Sequence, residues 1–165
     1  MSKTINGKAL KYGDNINTDI ISPPQYMEQS IEEASKYAMS GVDPDFYKKV
    51  KTNKIFVAGN NLGSGSSRET SPLTLKYLGV KAVIAVFFAR IFYRNCINIG
   101  LPAIECSDAG KIEWDDELII DYREGIITNV TRNEKYKCSK IPDHILELIE
   151  DDGLVSYMKK KERRV

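Results

Sequence analysis

Between residues 60 and 70 the chain reads Asn60-Asn61-Leu62-Gly63-Ser64-Gly65-Ser66-Ser67-Arg68-Glu69-Thr70. Gly63 and Gly65 let the backbone come close to a ligand. Ser66 and Ser67 bring hydroxyls, and Arg68 brings a fork of donors matched to a carboxylate or a phosphate. The apolar run Lys54–Gly59 in front of this segment reads as a buried strand, and Ser71-Pro72 behind it suits the first turn of a helix. A loop joining a strand end to a helix start is where open α/β sheets hold ligands. There the helix offers unpaired N–H groups and a partial positive charge. The chemistry on offer is anion binding with hydroxyls alongside.

Common motifs of this kind do not fit. A phosphate-binding loop of the G-x-x-x-x-G-K-[ST] type needs a lysine that is missing here. In the dinucleotide pattern G-x-G-x-x-G, Arg68 stands at the third glycine. No G-x-S-x-G turn is present, and the one histidine, His144, lies far along the chain in an expected helix, which disfavours a Ser–His–Asp hydrolase. Cys96, Cys106 and Cys138 are three in number and widely spaced, with no C-x-x-C pair. They read as reduced thiols in or near a core, not as a disulfide framework or a self-contained metal site.

Lys+Arg is 24 against Asp+Glu 23, a formal net charge of +1, without the basic excess of a generic nucleic-acid binder. The basic end, Lys159 to Arg164, reads as a solvated tail. No run reaches the ~18 apolar residues of a membrane span, and the N-terminus lacks the apolar core of a secretory signal. The expectation is a cytoplasmic protein that contacts neither nucleic acid nor membrane.

The elements that must position the loop follow from pattern and punctuation. The 165 residues suit one domain, 1–165. Residues 12–24, rich in Gly, Asn, Asp and Pro, read as a structured loop. A helix is expected over Ile31–Met39, another from about Ser71 to before Gly79, and a third over Ala89–Ile99 with Gly100 as its C-cap. Buried strands are expected at Lys54–Gly59, Lys81–Phe88 and Leu101–Cys106. Strands and helices alternating at this spacing predict βαβ crossovers and a parallel core, an α/β fold. Glu117–Tyr122 and Gly125–Val130 read as a β-hairpin region, and Ile141–Glu150 and Leu154–Lys161 as terminal helices.

The loop resembles the G-x-G-S-S-R-E loop of the aconitase superfamily, and the likeness continues on both sides of it. Gly13-Asp14-Asn15-Ile16-Asn17-Thr18-Asp19 resembles the G-D-x-x-[DN]-T-D loop of isopropylmalate dehydratase and homoaconitase small subunits. Phe88-Ala89-Arg90-Ile91-Phe92-Tyr93-Arg94-Asn95, followed by Asn98-Ile99-Gly100-Leu101, is similar to their F-A-R-I-F-Y-R-N-A-I-N-x-G-L segment. Gly153-Leu154-Val155-Ser156-Tyr157-Met158 is similar to the end of short archaeal-type subunits.

The resemblance implies a single swivelling domain of β/β/α layering that closes over a 4Fe-4S cluster held by three cysteines of a large partner subunit. The implied activity is a hydro-lyase acting on a hydroxy-dicarboxylate, with the isopropylmalate dehydratases as the nearest pattern. Carried onto this sequence, Ser66 is the base that takes the proton beside a carboxylate. Ser67 and Gly65 help hold the developing charge, and Arg68 binds a substrate carboxylate. The chain itself would bind no metal and would be inert alone.

Departures bear on which member this is. Ser64 and Thr70 stand where the family often has Cys and His, and Phe87 stands where a small polar residue is usual. Tyr26-Met27-Glu28 falls where the family discriminates substrates. Homoaconitase-like subunits carry an arginine at the Glu28 position, so Glu28 disfavours a third carboxylate. Met27 suits an alkyl group, leaving isopropylmalate first and dimethylmalate or another alkylmalate open. A homoaconitase subunit and, from another class, a non-enzymatic anion- or nucleotide-binding module are the alternative readings.

Overall fold

The computed structural model describes residues 4–66 and 69–163. Three short runs, β2 (Ile55–Val57), β3 (Ala82–Ala85) and β4 (Ala103–Glu105), are buried throughout except at Glu105. Strands covered on both faces tolerate no polar alternation, which is why they read as continuous apolar runs. They lie parallel, in the order β4-β3-β2, with Ile55 opposite Ala82 and Val83 opposite Ala103.

β1 (Thr4–Lys11) completes this sheet and joins it to a second. Its last residues run parallel to β2, with Ala9 opposite Ile55. Its first residues pair antiparallel with β5 (Glu117–Asp121), which continues to β6 (Ile126–Asn129) and β7 (Glu134–Lys137). The result is one mixed seven-stranded sheet, β4-β3-β2-β1-β5-β6-β7. Sequence reading passed over β1 and β7. β1 buries only Ala9 and Leu10, and β7 buries only Tyr136, so neither shows a clean two-residue period.

Side chains of the parallel strands alternate between two cores. One contains Leu10, Phe56 and Val83, together with Leu75, Phe92 and Cys96 from the helices. The other contains Ala9, Ile55, Val57 and Ile84, together with Leu118 and Ile127 from the antiparallel strands. The sheet therefore curls so that its antiparallel half closes over one face, where α6 (Asp143–Glu150) adds Leu146, while the helices that follow the parallel strands cover the other. This is the β/β/α layering that the resemblance implies.

The helices are α1 (Thr18–Ile21), α2 (Ile31–Ser35), α3 (Phe46–Lys49), α4 (Thr70–Tyr77), α5 (Arg90–Asn98), α6 (Asp143–Glu150) and α7 (Leu154–Arg163). α4, α5, α6 and α7 match expectation within a residue or two. α2 does not. It stops at Ser35 rather than running to Met39, because the Met39 N–H donates to Ile21 O (3.2 Å) and Met39 takes a positive φ of 61°. Residues 12–24 form a loop as expected, but it contains the single turn of α1, capped by Asn17, whose Oδ1 accepts from the Ile20 N–H (2.8 Å). No helix among the described residues is long and apolar enough to cross a membrane.

Candidate active site

β1, β2 and β3 are parallel neighbours, so their C-terminal ends lie on one edge of the sheet. The segments that leave them are the three stretches singled out in the sequence, and backbone hydrogen bonds join them. From the first segment to the second, the Gly59 N–H donates to Gly13 O (3.0 Å). The Asn15 N–H donates to Asn60 O (2.8 Å), and the Gly63 N–H to Ile16 O (2.8 Å). From the second to the third, the Leu62 N–H donates to Phe87 O (3.2 Å) and the Ala89 N–H to Leu62 O (2.9 Å). Asp14 Oδ1 also accepts from the Asn60 N–H (2.7 Å). A loop tied this densely is a rigid platform, which suits groups that must be preorganised.

Two glycines in it carry positive φ. Gly63, at φ 90°, lies so near α5 that a Cβ there would sit 2.0 Å from Phe92 Cγ. Gly65, at φ 109°, brings the loop against Thr18, where a Cβ would sit 3.1 Å from the Thr18 hydroxyl. A side chain at either place would be strained by conformation as well as by contact.

Ser66 emerges from this platform half-buried, four residues before α4. Its N–H donates to Thr18 Oγ1 (3.0 Å), so that donor is already engaged. α4 begins at Thr70, and among the described residues no side chain caps its first turn. Gly65 is exposed beside Ser66. Ser67 and Arg68 lie outside the described residues.

The specificity candidates reach the same helix. Tyr26 stacks on Tyr37, with ring centroids 4.0 Å apart and planes 7° apart. Tyr26 and Met27 line a cavity of about 110 Å³ together with Pro23, Ile31, Leu73 and Thr74, at the start of α4. Glu28 is exposed and is not part of that lining. Sequence reading brought out Tyr26 and Met27, but not Leu73 or Thr74, which belong to the wall by helical periodicity alone.

Around the platform, Tyr12 fixes the exit from β1. Its hydroxyl donates to Asp43 Oδ2 (2.6 Å), and its ring stacks on Phe56 at 5.2 Å. Burial first, and the Asp43 contact second, push the Tyr12 phenol far above its ordinary pKa, so it stays protonated. The three cysteines are free. Cys96 and Cys106 are buried and Cys138 is partly so. Burial raises all three thiols, Cys138 to about 12. Among the described residues no three His, Cys, Asp or Glu side chains come together as a metal site. His144 is exposed in the first turn of α6, away from the loop.

A serine on a glycine-bearing loop, four residues before a helix start, is an arrangement that can take an anionic ligand. The chain belongs to the aconitase C-terminal domain family, which it matches over residues 2–109. Within that class it is 50% identical to the 3-isopropylmalate dehydratase small subunit of Clostridium acetobutylicum, over 94% of this chain and 97% of that one. It is 47% identical to the isopropylmalate/citramalate isomerase small subunit of Methanocaldococcus jannaschii, over 98% of this chain and 97% of that one. A crystal structure of 3-isopropylmalate dehydratase from the same archaeon superposes with a TM-score of 0.90, at 41% identity, covering 96% of this chain and 95% of that one.

Proposed function

We propose that this chain is the small subunit of a 3-isopropylmalate dehydratase-like hydro-lyase. In this reading residues 1–165 form one swivelling domain that works in the cytoplasm, in leucine biosynthesis. The 4Fe-4S cluster belongs to a large partner subunit in this reading, as the small-subunit names of the relatives suggest. The observation that carries the reading is the half-buried Ser66 on a loop tied to both neighbouring strand ends, four residues before the start of α4.

Ser66 Oγ, as alkoxide, takes the proton from the carbon next to a substrate carboxylate. The C–H electron pair forms the new double bond as the C–O bond to the departing hydroxyl breaks. A serine hydroxyl ionises this way only where donors and a positive field are built in. The α4 N-terminus supplies part of that field. Ser67, Gly65 and Arg68 are proposed to supply the rest, with Arg68 forking onto a carboxylate. In rehydration Ser66 returns the same proton.

The cavity walled by Tyr26, Met27 and Leu73 suits a short alkyl branch, which favours isopropylmalate over a tricarboxylate, with citramalate or dimethylmalate as near relatives. Ser66→Ala in the two-subunit complex is expected to lower kcat by about 10²–10⁴-fold, the usual worth of a general base. Substrate affinity should persist through the carboxylate contacts. Near-parental turnover by that variant would put the base elsewhere.

A further inference from the structure

We propose that Thr18 is the positioning residue for Ser66, the contact that aims the proton-accepting hydroxyl. This rests on the assignment of Ser66 as the base. Thr18 is only 1% exposed, and its polar atoms reach the loop on both sides of Gly65. Its N–H donates to Ser64 O (2.9 Å), and its Oγ1 accepts from the Ser66 N–H (3.0 Å). Its carbonyl accepts from Ser71 Oγ (3.0 Å), a buried hydroxyl in the first turn of α4. One residue thus holds the chain before Ser66, at Ser66 and after it.

Thr18 is itself fixed. It opens α1, whose first turn is capped by Asn17, and its carbonyl also accepts from the Ser22 N–H (2.8 Å). The positive φ of Gly65 brings the loop down onto the Thr18 hydroxyl. Directing the Ser66 N–H at Thr18 Oγ1 sets the orientation of the Ser66 peptide plane, and with it the direction in which the Ser66 side chain leaves the backbone. Displacement of a reacting group by about 1 Å can cost on the order of 10²-fold in rate.

The test uses the complex with the large subunit and four variants: Thr18→Val, Thr18→Ser, Ser66→Ala and the Thr18→Val/Ser66→Ala double. Valine keeps the branched shape and removes the acceptor, and serine restores it. Thr18→Val is expected to lower kcat roughly 10–100-fold with KM within about threefold, and Thr18→Ser to return kcat to within about threefold of the parent. In the double variant the valine should add no further loss, because its effect runs through Ser66. If Thr18→Val does not assemble, Thr18→Ala makes the same kcat test, since it leaves room for water at the Ser66 N–H. Parental kcat in a Thr18 variant lacking the acceptor overturns the positioning role, as does an undiminished further loss in the double. Ser66→Ala at near-parental turnover overturns the base assignment and this proposal with it. An inactive Ser66→Ala beside a fully active Thr18→Val removes only Thr18.

Discussion

A serine alkoxide is far too unfavourable in neutral water to serve as a base, so the case for Ser66 depends on what surrounds it. Its N–H donates to Thr18 Oγ1, which fixes the peptide plane from which the side chain leaves. Selection among substrates is argued at the same scale. Tyr26 and Met27 face the cavity at the start of α4, whereas Glu28 lies outside its lining. In the proposed reading a carboxylate at position 28 disfavours a third substrate carboxylate, and an arginine there would attract one. Glu28→Arg is expected to raise the kcat/KM of a tricarboxylate relative to isopropylmalate by roughly tenfold, the worth of one charge-assisted hydrogen bond. The check is the ratio of the two specificity constants in the parent and variant complexes. An unchanged ratio would remove Glu28 from the selecting residues and leave Tyr26 and Met27.

Three parallel strand ends make the site, and the segments after them hold one another. Gly63 shows how closely. Gly63→Ala would drive a Cβ into Phe92 and strain a φ of 90°, so loop and α5 could not both keep their places. The expected outcome is a loss of about 2–4 kcal/mol, in the range of overpacking plus backbone strain, seen as a lower Tm together with reduced turnover. Parental Tm and turnover would mean that the loop is looser than its hydrogen bonds indicate. Much of this level was legible in advance. β2 and β3 announced themselves as unbroken apolar runs, α5 by its Gly100 cap, and the Ser66 loop by its glycines and serines. β1 was not legible, because Thr4–Lys11 mixes two lysines, an asparagine and a glycine around one buried pair. The burial of Thr18 was not legible either. It depends on Ser64, Ser66 and Ser71, brought alongside by tertiary pairing that no local pattern encodes.

Across the whole molecule, two cores on either face of one curled sheet set a rigid edge from which the loop projects. The fold itself was readable from alternating strands and helices together with the resemblance, whereas the joining of parallel and antiparallel halves through β1 required the structure. The relatives are small subunits by name, and the proposed reaction accordingly calls for a second, cluster-bearing subunit. The most direct measurement is reconstitution: hydration and dehydration of isopropylmalate assayed with this chain, with its cluster-bearing large subunit, and with the two combined. The account predicts turnover only in the combination, with this chain alone colourless and inactive. Turnover or iron–sulfur absorbance from the isolated chain, or no hydro-lyase activity on any hydroxy-dicarboxylate from the assembled pair, would contradict it.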